Sequence, residues 1–190
     1  MKKIIILISS LLSILFITGC SNSDTIFNTD EDILEYINES GLMNNIGVEN
    51  LSIIDTIHID NSKIVTFLSN TGQGYIVCEK NEKGNYIMTD NMAEDVSNEL
   101  GVSDFTVRYN HNSGFENRDM AYIVISDGSK VSNVEMPIND HVFSKKLKIG
   151  KPSMAFVNLR DEFSNDELKS ISLYCKYFDI DNNELETNKE

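Results

Sequence analysis

The sequence predicts an α+β protein in which an N-terminal helix and an antiparallel meander are followed by a mostly antiparallel, sandwich-like β region. Three observations carry this. Ile33, Leu34, Ile37 and Leu42 recur at helical spacing, the apolar period falls to two from Leu51, and beyond residue 104 short β-rich runs alternate with turn-forming residues. With 190 residues, 41% of them hydrophobic, the chain suits one medium domain or two small ones. Its ten Gly have no period and its three Cys are too few for a disulfide framework. Acids outnumber bases, 30 Asp and Glu against 16 Lys and Arg, for a net charge of −14. That balance argues against nucleic acid as a partner, because a phosphate backbone needs clustered Lys and Arg.

The first residues read as an address. Lys2 and Lys3 precede an uncharged apolar run from Ile4 to Ile17. A helix of that length reaches about 21 Å, short of the roughly 30 Å hydrocarbon core, so the run suits a secretory signal peptide better than a stable span. It ends in Ile17-Thr18-Gly19-Cys20, an aliphatic residue and two small ones before a Cys. This resembles the lipobox of bacterial lipoproteins, with Ile17 where Leu is more usual. The resemblance implies that the Cys20 thiol receives a diacylglyceryl group. It also implies cleavage between Gly19 and Cys20, and that Cys20 becomes the N-acylated first residue. Two or more acyl chains anchor a protein stably, at about 0.8 kcal/mol per buried CH₂. Cleavage removes two Lys and no acid, leaving 14 basic against 30 acidic residues. A surface that acidic is repelled by anionic headgroups, so the folded part stands off the membrane.

Residues 1–19 are thus expected to be a cleaved signal peptide and residues 20–29 a polar lipidated tether. A small α+β subdomain over residues 30–90, a connector over 91–104 and an all-β subdomain over 105–190 follow, with one continuous domain as the alternative. The helix starts at Thr29, an N-cap followed by Asp30, Glu31 and Asp32, and Gly41 stops it. Alternation over Leu51 to Ile59, Ile64 to Leu68, Tyr75 to Glu79 and Tyr86 to Met88, with turn residues between, gives the meander. Met92, Val96 and Leu100 predict a short helical connector closed by Gly101. Strands are then expected over Phe105 to Tyr109, Met120 to Ser126, Val131 to Met136, Phe143 to Ile149, Met154 to Leu159 and Ile171 to Ile180.

Residues able to carry chemistry are few. Asp179, Asp181, Asn183, Thr187 and Glu190 fall in register with the ligands of a calcium loop, with Leu185 at the backbone-carbonyl position. Glu184 stands where that loop needs Gly, so a hairpin turning at Asp181-Asn182-Asn183 is the expectation. His58, His111 and His141 show no metal-ligand spacing, and no metal or cofactor is expected. No Gly-x-Ser-x-Gly elbow surrounds Asn112-Ser113-Gly114, and the acidic pairs Asp161-Glu162 and Asp166-Glu167 read as solvated turns. Cys78 and Cys175 read as buried thiols acting as small apolar residues, with a disulfide as the alternative. In layout the whole chain resembles small envelope lipoproteins of bacteria. The expected role is a non-catalytic binding or accessory one on the extracytoplasmic face of the cell membrane, held there by lipid. An envelope protein or wall component is the expected partner. A lipid-anchored hydrolase acting on cell-wall or surface polymers is the alternative.

Overall fold

In a computed structural model the described residues are 25–43, 46–96, 99–111 and 118–186. Strands make up 50% of the structure and helices 12%, arranged as three antiparallel sheets with a curled half-barrel. The α+β class expected from the sequence is therefore corrected to mostly β.

Among the described residues one helix exceeds four residues, α1 (Asp30–Glu39). Thr29 Oγ1 accepts from the Asp32 amide at 3.2 Å, and the Asp32 carboxylate accepts from the Thr29 and Asn28 amides at 2.9 and 2.7 Å. These backbone donors hold the Asp32 carboxyl below its ordinary range. The helix buries Ile33 and Ile37 against a five-stranded sheet.

That sheet has the order β1-β5-β4-β3-β2, built from β1 (Ile26–Phe27), β2 (Ser52–Ile59), β3 (Ser62–Leu68), β4 (Gly72–Lys80) and β5 (Tyr86–Asp95). The β2–β3 turn is two residues long, and Asp60 takes the positive φ (49°) that such turns require. Residues 26 and 27, expected within the tether, pair with Ile87 and Tyr86, and Phe27 is buried.

Within the expected helix over 90–101, residues 90–95 are instead the end of β5, where Met92 pairs with Tyr75 and Asp95 with Gly72. The reason lies in the spacing. Four and eight are even numbers, so residues i, i+4 and i+8 share one face of a strand as well as of a helix. Pairing with β4, buried from Gly72 to Glu79, decides it for Met92.

A three-stranded sheet, β10-β7-β6, comprises β6 (Val102–Tyr109), β7 (Asp119–Ser126) and β10 (Ser153–Asn158). A four-stranded sheet, β12-β11-β8-β9, comprises β8 (Asn133–Ile138), β9 (His141–Lys146), β11 (Lys176–Phe178) and β12 (Glu184–Leu185). The long strand expected over Ile171 to Ile180 shortens to β11, preceded by a single bridge between Leu173 and Ile138. Two short helices, α2 (Leu159–Glu162) and α3 (Asn165–Leu168), occupy the expected acidic turns. No helix among the described residues is long and apolar enough to cross a membrane.

Three apolar clusters lie between these layers. One joins α1 to the five-stranded sheet through Ile33, Ile37, Phe67 and Ile76. The second joins that sheet to the three-stranded one, drawing Ile64, Tyr75 and Val77 together with Phe105, Val107 and Ile123. Its members come from both sides of the connector expected at residues 91–104. The third packs the opposite face of the three-stranded sheet, Tyr122, Val124 and Val157, on Val134, Met136 and Tyr177 of the four-stranded sheet. Ile123 is fully buried in the second cluster, whereas Val142 on strand β9 is 61% exposed. Ile123→Ala should cost about 2–5 kcal/mol in denaturant unfolding and Val142→Ala less than about 0.5 kcal/mol; equal costs would contradict this layering.

Candidate polar cavity

β4 and β6 begin, and β5 and β7 end, at one end of the sheet stack. A cavity of about 150 Å³ opens there, lined among others by Ser69, Gln73, Glu99, Gly101, Asp127 and Ser129. Gln73 is the second residue of strand β4 and is only 1% exposed, on the face that β4 turns toward the three-stranded sheet. Its Nε2 donates to the Gly101 carbonyl at 3.1 Å, which fixes the orientation of the amide, since the flipped form would set two acceptors against each other. Gln73 Oε1 is left buried with no hydrogen-bond donor among the described residues.

Gly101 has φ +67°, and a Cβ there would collide with the Asp127 carboxylate. Glycine is what lets that carboxylate lie against the chain. The Asp127 amide donates to the Gly101 carbonyl at 2.9 Å, and Asp127 Oδ1 accepts from the Ser129 amide at 2.7 Å. Ser69 Oγ accepts from the Gly72 and Thr71 amides at 3.0 and 3.3 Å. Glu94, the cross-strand neighbour of Gln73, has its carboxyl pushed above the ordinary value. Burial is the main cause and the Asp104 charge adds to it.

The opposite end of the stack is closed by a cation. Arg160 Nη1 lies 3.0 Å from Asp60 Oδ2 and 3.1 Å from Asp119 Oδ2, and Asn110 Nδ2 donates to Asp119 at 2.8 Å. Tyr109 donates to Asn158 Oδ1 at 2.5 Å, and burial pushes its hydroxyl up to about 12.

A third polar group ties the three- and four-stranded sheets together. Tyr122 donates to Asp104 Oδ2 at 2.5 Å and Tyr177 to Asp104 Oδ1 at 3.4 Å, with Cys175 Sγ 3.3 Å from the Tyr122 hydroxyl. Burial, with the neighbouring thiol and carboxylate, raises both phenols. Neutral phenols that donate to one carboxylate form a structural tie between the two sheets.

The residues singled out in the sequence are scattered. Cys20 and Gly19 lie outside the described residues, as do Asn112-Ser113-Gly114, Thr187 and Glu190. His58 sits on β2 with its ring 6.4 Å from Tyr86, His111 Nε2 lies 2.8 Å from the Arg108 carbonyl, and His141 stacks on Phe143 at 6.2 Å. No group of three or more His, Cys, Asp or Glu among the described residues could hold a metal ion. Cys78 and Cys175 are not joined in a disulfide; they belong to different clusters, and burial pushes Cys78 up to about 12. Asp161 accepts from Asn158 at 2.8 Å, Asp166 pairs with Lys169 at 2.7 Å, and Glu167 completes a capping box with Ser164.

Asp179 accepts from the Asp181 and Asn183 amides at 2.9 and 2.8 Å and from Asn183 Nδ2 at 3.0 Å. Tyr177 and Phe178 pair with Leu185 and Glu184, so this segment is a hairpin. Both oxygens of the first calcium-loop position are spent on its own turn.

Sequence reading missed the cavity. Gln73 and Asp127 each sat inside a stretch read as turn punctuation, and neither stretch carried a sign that packing would join them. No protein-family model matches the chain, and neither do any curated protein or solved structure.

Two predictions follow from this geometry. The raised Glu94 carboxyl means that, from pH 4.5 up to its folded value, the folded state holds a proton the unfolded chain has lost, so stability falls as pH rises through that window. Glu94→Gln should therefore melt higher than the parent at about pH 7, with the difference closing as pH falls toward 4.5; a constant difference would refute the burial argument. Millimolar calcium should leave the melting temperature within about a degree of its value in chelator, since a weak ligand stabilises little. A rise of several degrees, lost in Asp181→Ala, would overturn the hairpin assignment.

Proposed function

We propose that the chain is a lipid-anchored envelope protein with a non-catalytic binding or accessory role on the extracytoplasmic face of the cell membrane. The observation that carries this reading is Ile17-Thr18-Gly19-Cys20 placed directly after a basic start and a fourteen-residue apolar run. Such a run feeds the secretion machinery, and the Cys supplies the thiol to be acylated. The binding role is supported by the polar cavity that Ser69, Gln73, Glu99 and Asp127 help to line.

Strand pairing begins at Ile26, so six residues, Cys20 to Thr25, form the link between lipid and sheet. Fully extended it reaches about 20 Å. Together with the acidic charge, this holds the folded part close to the headgroups without adsorbing to them. Metabolic labelling with an alkyne fatty acid tests the anchor. The parent should take up label and partition with membranes, and Cys20→Ala should do neither and should keep its leader; labelling of Cys20→Ala at the parental level would sink the proposal.

A further inference from the structure

Charge is spread unevenly over the chain. Between Gly128 and Ser153 lie Lys130, Lys145, Lys146, Lys148 and Lys151, against two acids, Glu135 and Asp140. With the proposed cleavage before Cys20, the rest of the chain carries 9 basic residues against 28 acidic ones. One short segment thus has the opposite sign from everything around it. All five lysines are exposed, and none of them makes an ion pair among the described residues.

Backbone pairing gathers them. The Gly150 amide donates to the Gly128 carbonyl at 2.9 Å and the Leu147 amide to the Ser132 carbonyl at 2.8 Å, so residues 128–132 lie alongside residues 147–150. Lys146 pairs with Asn133 across β9 and β8, and the Lys148 amide donates to Ser153 Oγ at 2.8 Å. A Cβ on Gly128 would collide with the Lys151 backbone, so the two loops are closely seated. Of the nearby acids, Glu135 lies across from Lys176, Asp127 Oδ1 accepts from the Ser129 amide, and Asp140 stands at the far end of β9. Lysines on an edge strand block unwanted pairing, and β9 is an edge, which accounts for Lys145 and Lys146. Lys130, Lys148 and Lys151 lie outside the strands and have no such use.

The patch and the lipid link sit at opposite ends of the stack. Ser153 pairs with Ser126 at the end where the Asp127 amide meets Gly101. Phe27, just after the link, pairs with Tyr86, which pairs with Lys80, the last residue of β4. That is the Arg160 end, where Ser62, the partner of Glu79, accepts from the Asn110 amide. The eight residues of β7 separate the two ends by about 24 Å, and the extended link reaches about 20 Å. We infer that the five-lysine patch docks an extended phosphate-bearing polymer of the envelope, on the side of the fold away from the membrane. Protein interfaces are depleted in Lys and anchored by aromatic or Arg side chains, and residues 128–132 and 147–152 contain neither. Unpaired nucleic-acid bases likewise need aromatic platforms. Ammonium groups act as point charges on phosphates that repeat along a chain, and binding gains from the counterions released. The acidic remainder repels the same polymer and so confines it to the patch.

The inference rests on the binding role proposed above, whose partner it narrows, and its test does not depend on the anchor. Fluorescence anisotropy on the full chain in uncharged detergent would use labelled polyphosphate as the probe. Binding should weaken with salt, the logarithm of the binding constant falling against that of salt with a slope of about −3, at about 0.7 per phosphate contact. A triple variant, Lys130→Gln with Lys148→Gln and Lys151→Gln, should keep the parental melting temperature. It should bind at least about tenfold more weakly, with the slope reduced in size by about 2. Lys148→Gln alone should reduce it by about 0.7. Lys83→Gln with Lys169→Gln, which removes two exposed lysines elsewhere, should bind as the parent does. At equal charge concentration, neither polyglutamate nor mixed micelles of phosphatidylglycerol should displace the probe.

No binding by the parent, parental affinity in the triple variant, or an equal loss in the Lys83 and Lys169 control would each overturn the inference. So would displacement by polyglutamate, which would make the patch a reader of charge alone, or by phosphatidylglycerol, which would turn it toward the membrane. A protein that takes up fatty acid but binds no polyphosphate fails here alone. One that binds polyphosphate without taking up fatty acid fails only as a lipoprotein.

Discussion

Strand β7 is the constraint on which the rest of the structure depends. It lies between β6 and β10, and every residue from Ala121 to Ser126 is buried. Alternate side chains serve different cores: Ala121, Ile123 and Ile125 face the five-stranded sheet, and Tyr122 and Val124 face the four-stranded one. An antiparallel strand with one wet face shows polar alternation, and one covered on both faces cannot. Each large apolar side chain buried there contributes about 1.5–3 kcal/mol, and each contribution requires a covering layer on its own side. The meander and the C-terminal sheet are thus bound to the same strand from opposite directions.

A two-sided core also has to satisfy its polar atoms. Tyr122 fills volume in the core while its hydroxyl must find an acceptor, and it finds Asp104 at 2.5 Å. Tyr177 of strand β11 reaches the same carboxylate, so one Asp at the rim of the three-stranded sheet draws in the C-terminal hairpin. Tyr75 and Tyr109 repeat the arrangement in the other core, donating to Asp90 at 3.4 Å and to Asn158 at 2.5 Å. Part of the chain's acidity therefore has a structural use at the ends of buried tyrosines. The remainder sits at the surface and at the cavity.

What could be read from the sequence follows from this layering. The Thr29 start of α1 was legible because a cap is a local hydrogen-bond pattern, and Asp32 closes it within the same turn. The β2–β3–β4 hairpins were legible because their turn residues sit next to alternating runs. The class was misread where local pattern is ambiguous, since the spacing from Met92 fits either period and the pairing of Met92 with Tyr75 across β5 and β4 resolves its own place. The strand expected from Ile171 was misjudged in the opposite sense. Its β-forming residues lie beside a sheet that engages Leu173 by one bridge and then only Lys176–Phe178. The contiguous Ile17-Thr18-Gly19-Cys20 motif needs no fold to be read, which is why it stands out in the primary sequence.

The cavity was illegible for a related reason. Gln73 lies near the start of β4, Gly101 precedes β6 and Asp127 follows β7, so they are joined only when two sheets close on each other. Read singly, Gln73 lay among turn-forming residues, Gly101 was a helix stop and Asp127-Gly128 a turn. In the fold, the same Gly101 supplies a carbonyl to both Gln73 and Asp127 and, by lacking a Cβ, admits the Asp127 carboxylate. Replacing Gln73 by an apolar residue of similar size would remove its unsatisfied oxygen, and such exchanges are often neutral or stabilising. The end of the stack where β4 begins is a polar cavity around a glycine, whereas at the other end Arg160 holds Asp60 and Asp119 together.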